Sequence, residues 1–126
     1  MNNLKTTNSI FEDIKHIDEE GNEYWSAREL QKALEYNKWQ KFEDVIEKAK
    51  NACVNSNNNI KDHFTQVGKM IHLAKGAKRK IIDYKLSRYA CYLIAQNADL
   101  RKEVVAYTQT YLACSFKQTK IIKRIL

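Results

Sequence analysis

The stretch that decides the fold reads Leu86-Ser87-Arg88-Tyr89-Ala90-Cys91-Tyr92-Leu93-Ile94-Ala95-Gln96-Asn97. Ser87 is a favourable helix N-cap, because its hydroxyl can accept a hydrogen bond from a backbone N–H that the first helical turn leaves unpaired. The residues behind it recur at helical spacing. One face is predicted to carry Tyr89, Tyr92, Leu93 and Gln96, and the opposite face Cys91, Ile94 and Ala95. The pattern predicts a helix that is buried on nearly all sides.

The charges of the chain are divided unevenly between its two halves. Residues 1–66 carry 9 Lys and Arg against 12 Asp and Glu, whereas residues 67–126 carry 13 against 3. A strongly basic half predicts a polyanion as partner, and DNA is the first candidate. The alternative is a lysine-rich surface without function. The chain is also rich in Asn and Ile, which suggests an A·T-rich genome, and such a genome raises the lysine content of its proteins regardless of function.

The length and composition predict one folded domain. A chain of 126 residues with 44% hydrophobic residues can bury a core, but it is too short for two cores. No apolar run approaches the roughly 18 residues that span a bilayer, and residues 1–8 lack a hydrophobic signal segment. We therefore expect a cytoplasmic protein without membrane contact, associated with the nucleoid if it binds DNA.

The sequence carries no recognisable catalytic, metal or cofactor motif. Its three cysteines and three histidines have no metal-ligand spacing, and Cys91 is expected to pack as a small apolar residue. His63 beside Asp62 lacks a nucleophile or second acid, so a structural role is expected. No phosphate-binding glycine loop of the nucleotide-binding type is present. We expect no enzymatic activity, no metal and no cofactor.

The N-terminal half predicts a β-hairpin followed by two helices. Residues 13–17 alternate polar and apolar, a turn follows at 18–22, and residues 23–25 return as a second strand. Ser26 and Glu29 form a capping box that starts a helix over residues 27–35. A longer helix begins at Trp39, and its predicted buried stripe consists of Phe42, Val45, Ile46, Ala49 and Cys53.

This helix pair is similar to a helix-turn-helix, in which the second helix enters the major groove of DNA. An ordinary helical hairpin used for packing is the alternative. If the pair binds DNA, the polar and basic side chains at its two helix starts are the candidate groove contacts: Arg28, Lys32, Lys38, Gln40 and Lys41.

The next segment is predicted to form a basic β-ribbon. Residues 67–85 contain Gly68 and Gly76, and the apolar residues of its second strand include Ile81, Ile82 and Tyr84. A glycine turn among lysines suits a loop that lies along phosphates. The candidate phosphate contacts are Lys75, Lys78, Arg79, Lys80, Lys85 and Arg88.

A last helix is predicted from about Leu100 to Ala113, with Val104, Tyr107 and Tyr111 on one stripe. The sequence thus predicts an α+β fold, with a flexible N-terminus at 1–9, one domain at 10–113 and a basic tail at 114–126. We expect this tail to be dispensable for folding. Its Ile121, Ile122, Ile125 and Leu126 would either pack back on the domain or form an exposed patch that favours a homo-oligomer.

Five separated motifs, in order, resemble those of the DNA-damage-inducible protein D family of bacteria and phages. They are Trp25-Ser26-Ala27-Arg28-Glu29-Leu30, Asp62-His63-Phe64, Ala77-Lys78-Arg79, Leu86 to Asn97, and Gln109-Thr110-Tyr111-Leu112-Ala113. The pattern is also similar, more loosely, to the BRO N-terminal domain of phage antirepressors. The resemblance covers roughly residues 10–113 and only the N-terminal part of the family's usual length. The tail at 114–126 diverges from the family pattern, and a frameshift or truncation would explain that divergence.

The resemblance implies a regulatory DNA-binding module of the SOS response or of a prophage switch. It also implies an alternative, because some family members act on the recombinase filament. A protein-interaction module that binds such a filament, or a phage repressor, would not read DNA. Its docking site would be the acidic hairpin tip with Asp18, Glu19, Glu20 and Glu23.

Overall fold

The fold combines a four-stranded sheet with helices packed on it. A computed structural model describes the backbone of residues 10–125 and the side chains of residues 10–114. All strands pair antiparallel in the order β1-β2-β4-β3, which confirms the predicted α+β class. After a helical turn at 10–13, the elements are β1 (His16–Ile17), β2 (Glu23–Ser26), α1 (Ala27–Ala33), α2 (Trp39–Asn55), α3 (Ile60–His63), β3 (Phe64–His72), a 3-10 turn (Ala74–Gly76), β4 (Lys78–Leu86), α4 (Arg88–Asn97) and α5 (Glu103–Ile125). The segment predicted to be flexible, 1–9, lies outside the described residues.

The N-terminal hairpin is shorter than predicted. The predicted strand over 13–17 is wrong in its first half, because residues 10–13 are helical and β1 contains only two residues. A helical turn places Phe11 and Ile14 on one side, and both pack on the core. Phe11 stacks on Trp25 with ring centroids 4.5 Å apart, and the Trp25 indole N–H donates to the Phe11 carbonyl at 3.0 Å. This tertiary contact overrides the local alternation.

Helices α1 and α2 follow the predicted pattern closely. Ser26 caps α1 by accepting a hydrogen bond from the backbone N–H of Glu29, and α2 buries all five residues of its predicted stripe. Helix α1 ends two residues early, since Glu35 adopts a left-handed φ of 62°. The N–H groups of Glu35 and Tyr36 then donate to the carbonyls of Lys32 and Gln31, which terminates the helix.

The predicted ribbon is confirmed as a long antiparallel pair. Strands β3 and β4 pair along their whole length, from Phe64 opposite Leu86 to His72 opposite Lys78. At its base, β4 also pairs with β2, and Phe64, Tyr84 and Leu86 are buried in the core. Phe64 fills the core as predicted.

Helix α4 is the central helix, and Ser87 caps it by accepting a hydrogen bond from the Ala90 N–H at 3.0 Å. Five of its residues are buried: Ala90, Cys91, Leu93, Ile94 and Ala95. The prediction that Gln96 lies on a buried face is wrong, since its side chain is exposed. The small residues on the other face allow close approach of α2 instead.

Helix α5 differs from the prediction at both ends and in its buried face. It begins at Glu103, because residues 100–102 form a turn in which the Lys102 N–H donates to the Asp99 carbonyl. It continues to Ile125, since no glycine or proline follows Ala113 to end it. The most deeply buried residues are Val105, Thr108 and Leu112, each one position after a residue of the predicted stripe. Val104 and Tyr111 of that stripe are partly buried and also pack on the core. The expected packing of the tail's apolar side chains lies outside the described side chains.

Candidate nucleic-acid interface

The ribbon consists of residues 64–86. Its outer half, residues 68–82, extends away from the body of the domain. All residues from 72 to 80 are exposed, and only the inner ends of both strands reach the core. A hydrogen bond of 2.7 Å from the Leu73 N–H to the Ala77 carbonyl closes the tip. Lys75 and Gly76 take left-handed φ values of 61° and 78° there, and glycine adopts this conformation without strain.

Six cations lie on the ribbon, and the strand register assigns them to both of its faces. Directly opposed residues of antiparallel strands share a face, and successive residues alternate. Lys78 and Lys80 therefore lie on one face, and the other carries Lys69, Arg79 and Lys85. Lys75 is at the tip. At the base, the Lys85 ammonium lies 4.8 Å from the centre of the Tyr24 ring.

The single carboxylate of the ribbon, Asp83, does not offset these charges at the surface. Asp83 is 5% exposed and accepts hydrogen bonds from the Ser26 hydroxyl (2.7 Å), the Arg28 N–H (3.0 Å) and the Tyr84 N–H (2.8 Å). It thus ties β4 to the start of α1. The exposed surface of the ribbon carries cations without anions.

Arg28 connects the ribbon to the helix pair and is partly used by the fold. Its guanidinium lies 3.7 Å from the centre of the Trp39 ring, and its Nε donates to the Ile82 carbonyl at 2.9 Å. Burial lowers the pKa of this group, and the nearby Asp83 charge opposes that effect. The Arg28 side chain is therefore fixed by these contacts, and only part of its guanidinium faces solvent.

The remaining candidates of the helix pair are exposed. Lys38 and Lys41 border a depression of about 310 Å³ at the start of α2, together with Lys102 from the turn before α5. Lys102 donates to the Glu35 carbonyl at 3.0 Å, and Gln40 donates to Asp44 at 3.4 Å. Lys32 is exposed on α1. Lys38, Lys41 and Lys102 together form a second basic surface, which we call the α2 patch.

Arg88 is turned into the protein and lies apart from both surfaces. Its side chain is 20% exposed, and its guanidinium binds both carboxylate oxygens of Glu23, at 2.8 and 3.0 Å, and one of Glu12 at 3.5 Å. The hydrogen bonds that Arg88 donates to the Glu23 carboxylate raise the pKa of Arg88. The group also packs 5.1 Å from the centre of the Trp25 ring. We therefore draw the candidate interface without Arg88.

Two cations of these surfaces were absent from the sequence-based candidates. Lys69 lies on β3 and joins the face of Arg79, and the predicted strand pairing would have found it if the register had been known. Lys102 belongs to the α2 patch only because the turn before α5, residues 100–102, packs near the end of α1 and the start of α2. No local pattern indicates the second placement, because about 60 residues separate Lys102 from Lys41.

Other chemical features of the described residues are structural. His63 bonds the hydroxyl of the cap residue Ser87 at 2.7 Å. Cys91 is buried as predicted, and burial raises the pKa of its thiol well above the ordinary value. Residues 10–114 contain no group of three His, Cys, Asp or Glu side chains that could hold a metal ion. None of the helices over 10–125 has the length and apolar character to cross a bilayer.

The amino-acid sequence matches a known domain family. Residues 13–113 match the BRO family N-terminal domain, so the chain belongs to that family. A curated relative, DNA damage-inducible protein D of Escherichia coli strain K12, is 45% identical over 111 residues. This match covers 88% of the chain but only 40% of the relative's length. Both findings confirm the family predicted from the motifs. No solved structure matches the chain.

Proposed function

We propose that this domain is the DNA-binding module of a regulatory protein that acts in the bacterial DNA-damage response or in a prophage switch. One observation carries the proposal. The ribbon exposes five cations in its outer half and one at its base, while its only carboxylate is buried in hydrogen bonds. A surface with this charge attracts the phosphate backbone and releases its counterions.

The regulatory setting comes from the relative's name, which describes a protein induced by DNA damage. Since the chain spans 40% of that relative, the activity of a whole protein of this type is part of the proposal. The function that we propose is binding without catalysis, metal or cofactor.

The alternative is a protein-interaction module that docks through the acidic hairpin tip. Two of its four carboxylates are used by the fold: Asp18 accepts hydrogen bonds from the N–H groups of Glu20 and Asn22, and Glu23 pairs with Arg88. Glu19 and Glu20 remain exposed. Two of the four carboxylates predicted to dock a partner therefore already have partners within the fold. For this reason we favour DNA over a docked protein.

A salt series with single alanine variants tests the proposal. Duplex binding is measured by fluorescence anisotropy at several salt concentrations for wild type, Lys78→Ala, Arg79→Ala and Lys80→Ala. Each variant is expected to weaken binding to all sequences alike and to reduce the salt slope by about one per lost phosphate contact. Lys48→Ala, an exposed lysine on α2, is the matched control and should retain the wild-type slope.

Three outcomes would contradict the proposal: no duplex binding at low salt, a wild-type slope near zero, or ribbon variants indistinguishable from Lys48→Ala. A recombinase filament assembled on DNA and a phage repressor serve as additional binding partners. Binding to either protein with affinity unaffected by the ribbon variants would establish the alternative.

A further inference from the structure

The outer half of the ribbon exposes apolar side chains among its cations. Met70 is 54% exposed, Leu73 45% and Ile82 43%, and they are three of the seven large apolar residues exposed among the described side chains. Leu73 lies at the tip, directly before the 3-10 turn. Met70 and Ile82 lie on the same face of the ribbon, two register positions apart, so they form an exposed apolar cluster rather than isolated residues. Exposed apolar clusters bordered by charges are typical of interaction surfaces.

The composition of the ribbon excludes several ways of binding nucleic acid. Residues 65–83 contain no Phe, Tyr or Trp, so the ribbon lacks the aromatic platform on which unpaired bases stack. Residues 68–82 also contain no Asn, Gln, Asp, Glu, Ser or Thr, so among the side chains that read base edges only Lys and Arg are present, and these recognise guanine alone. What remains is Lys, Arg, His and apolar side chains, a set that suits phosphates, groove shape and base stacks.

The shape of the ribbon fits a duplex groove. Leu73 lies five positions after Gly68 along an extended backbone, so the outer half is about 17 Å long, more than either groove is deep. Its cations lie on both faces, with Lys78 and Lys80 on one and Lys69 and Arg79 on the other. A ribbon placed in a groove can therefore contact the phosphates of both walls while its tip reaches the bases.

We infer that the ribbon is a DNA-bending arm, which enters the minor groove of a duplex and inserts Leu73 between two base pairs. Apolar side chains inserted in this way unstack a base step and kink the duplex toward the major groove. Met70 and Ile82 cover the sugars that the kink exposes. The arm selects deformable DNA, such as TA steps or bulges, rather than a base sequence. This inference rests on the proposed DNA binding and adds the form of the DNA and the bend.

The bend is measured by energy transfer between dyes at the two ends of a short duplex. Wild type is expected to shorten the end-to-end distance, corresponding to a bend on the order of 20–90°. A duplex with a two-nucleotide bulge should bind several-fold more tightly than the continuous duplex, and the single strand more weakly than both. A bound duplex that remains straight, or a single strand bound more tightly than the duplex, would overturn the inference and leave the proposed function intact.

The wedge is tested with Leu73→Ala, and Leu100→Ala is the matched control because Leu100 is 61% exposed and lies before α5. Leu73→Ala should abolish the change in energy transfer and the preference for the bulge, while affinity for the continuous duplex falls by less than about tenfold. Leu100→Ala should bend DNA as wild type does.

If Leu73→Ala bends DNA as wild type does, Leu73 is not the wedge and the inference is wrong. Failure of the wild-type domain to bind any duplex at low salt would overturn the proposed function, and the inference with it. The two failures are therefore distinguished by whether binding occurs. Leu73 and Leu100 are both exposed, so both variants are expected to fold, and circular dichroism should show the wild-type spectrum.

Discussion

The cations of the outer ribbon and the cations that pack against the core differ in whether they have a partner in the fold. In the body, Arg88 pairs with Glu23 and Lys50 with Glu47, and Lys50 also donates to the Tyr84 hydroxyl at 3.2 Å. On the ribbon, none of the five outer cations forms an ion pair with any side chain of residues 10–114. Charges that stabilise the fold have partners within it. Clustered cations without partners repel one another, and the proposed DNA binding rests on this arrangement.

The same contrast holds for apolar residues. The body encloses Trp25, Phe42 and Ile94 completely, whereas the outer half of the ribbon exposes Met70, Leu73 and Ile82. Because burial is the main favourable term in folding, substitutions in the body should change stability, and substitutions in the outer ribbon should change binding alone.

The largest effect is expected for Ile94→Ala, at the centre of α4. Ile94 is fully buried, so its truncation removes apolar contacts and leaves a cavity, and the free energy of unfolding should fall by about 2–5 kcal/mol. Urea denaturation followed by circular dichroism measures the change. Leu100→Ala, at an exposed site, should stay within about 0.5 kcal/mol of wild type. Equal stabilities of both variants would mean that α4 is not the core helix.

Arg88→Ala should lower the free energy of unfolding by about 1–3 kcal/mol, because it leaves Glu23 without its cation in a partly buried site and leaves Glu12 with Lys15 alone. Arg88→Lys should recover only part of this loss, since an ammonium cannot reproduce the two-point contact with Glu23. Duplex affinity of the folded protein should remain unchanged. A selective loss of duplex binding with unchanged stability would return Arg88 to the DNA interface.

This ion cluster also predicts a dependence of stability on pH. Burial opposes ionisation of Glu12, but hydrogen bonds from Tyr111 and Lys15 and the charge of Arg88 together hold its pKa below the ordinary 4.5. A depressed folded-state pKa contributes stability above the unfolded value, and this contribution is lost as pH falls through the folded value. Wild type should therefore lose stability on acidification below about pH 4.5, and Arg88→Ala should lose less over the same range. Denaturation at several pH values measures this, and parallel losses would contradict it.

The sequence predicts local features well and distant contacts poorly, and the Arg88 cluster illustrates why. The caps at Ser26 and Ser87 and the stripe of α2 depend on residues within a few positions, so their chemistry is visible in the sequence. Arg88 and Glu23 are 65 positions apart, and Arg88 looks like any cation of a basic segment. Likewise, residues 10–13 are helical because Phe11 packs on Trp25, a contact that local alternation cannot indicate.

The candidate interface divides in the same way. The basic ribbon was predictable, because its glycines and its run of cations lie within one segment. Its faces were not, because they depend on the register between β3 and β4. The α2 patch needed the tertiary fold, since Lys102 reaches it from the turn before α5.

A smaller effect is expected at the end of α1, within the body. Glu35 has a φ of 62°, a conformation that costs residues with a Cβ roughly 1 kcal/mol and glycine little. Glu35→Gly should raise the free energy of unfolding by about 0.5–1 kcal/mol, since its backbone hydrogen bonds are retained. Lys32→Gly, inside the same helix, should lower it by about 1 kcal/mol. Calorimetric melting of both variants measures the difference, and a common sign for the two would contradict the helix-end geometry.

The smallest effect is expected on the ribbon itself, at Gly68. A Cβ added there would lie 2.1 Å from Cε of Lys80, so the side chain of Lys80 folds across the glycine. Because that atom belongs to a flexible, exposed side chain, Gly68→Ala should only displace it and change the free energy of unfolding by less than about 0.5 kcal/mol. Ala90→Val, which adds atoms to the packed face of α4, should cost about 1–3 kcal/mol instead. If Gly68→Ala destabilises the domain as much as Ala90→Val does, the outer ribbon is a packed part of the fold, and its cations need no external partner to explain their arrangement.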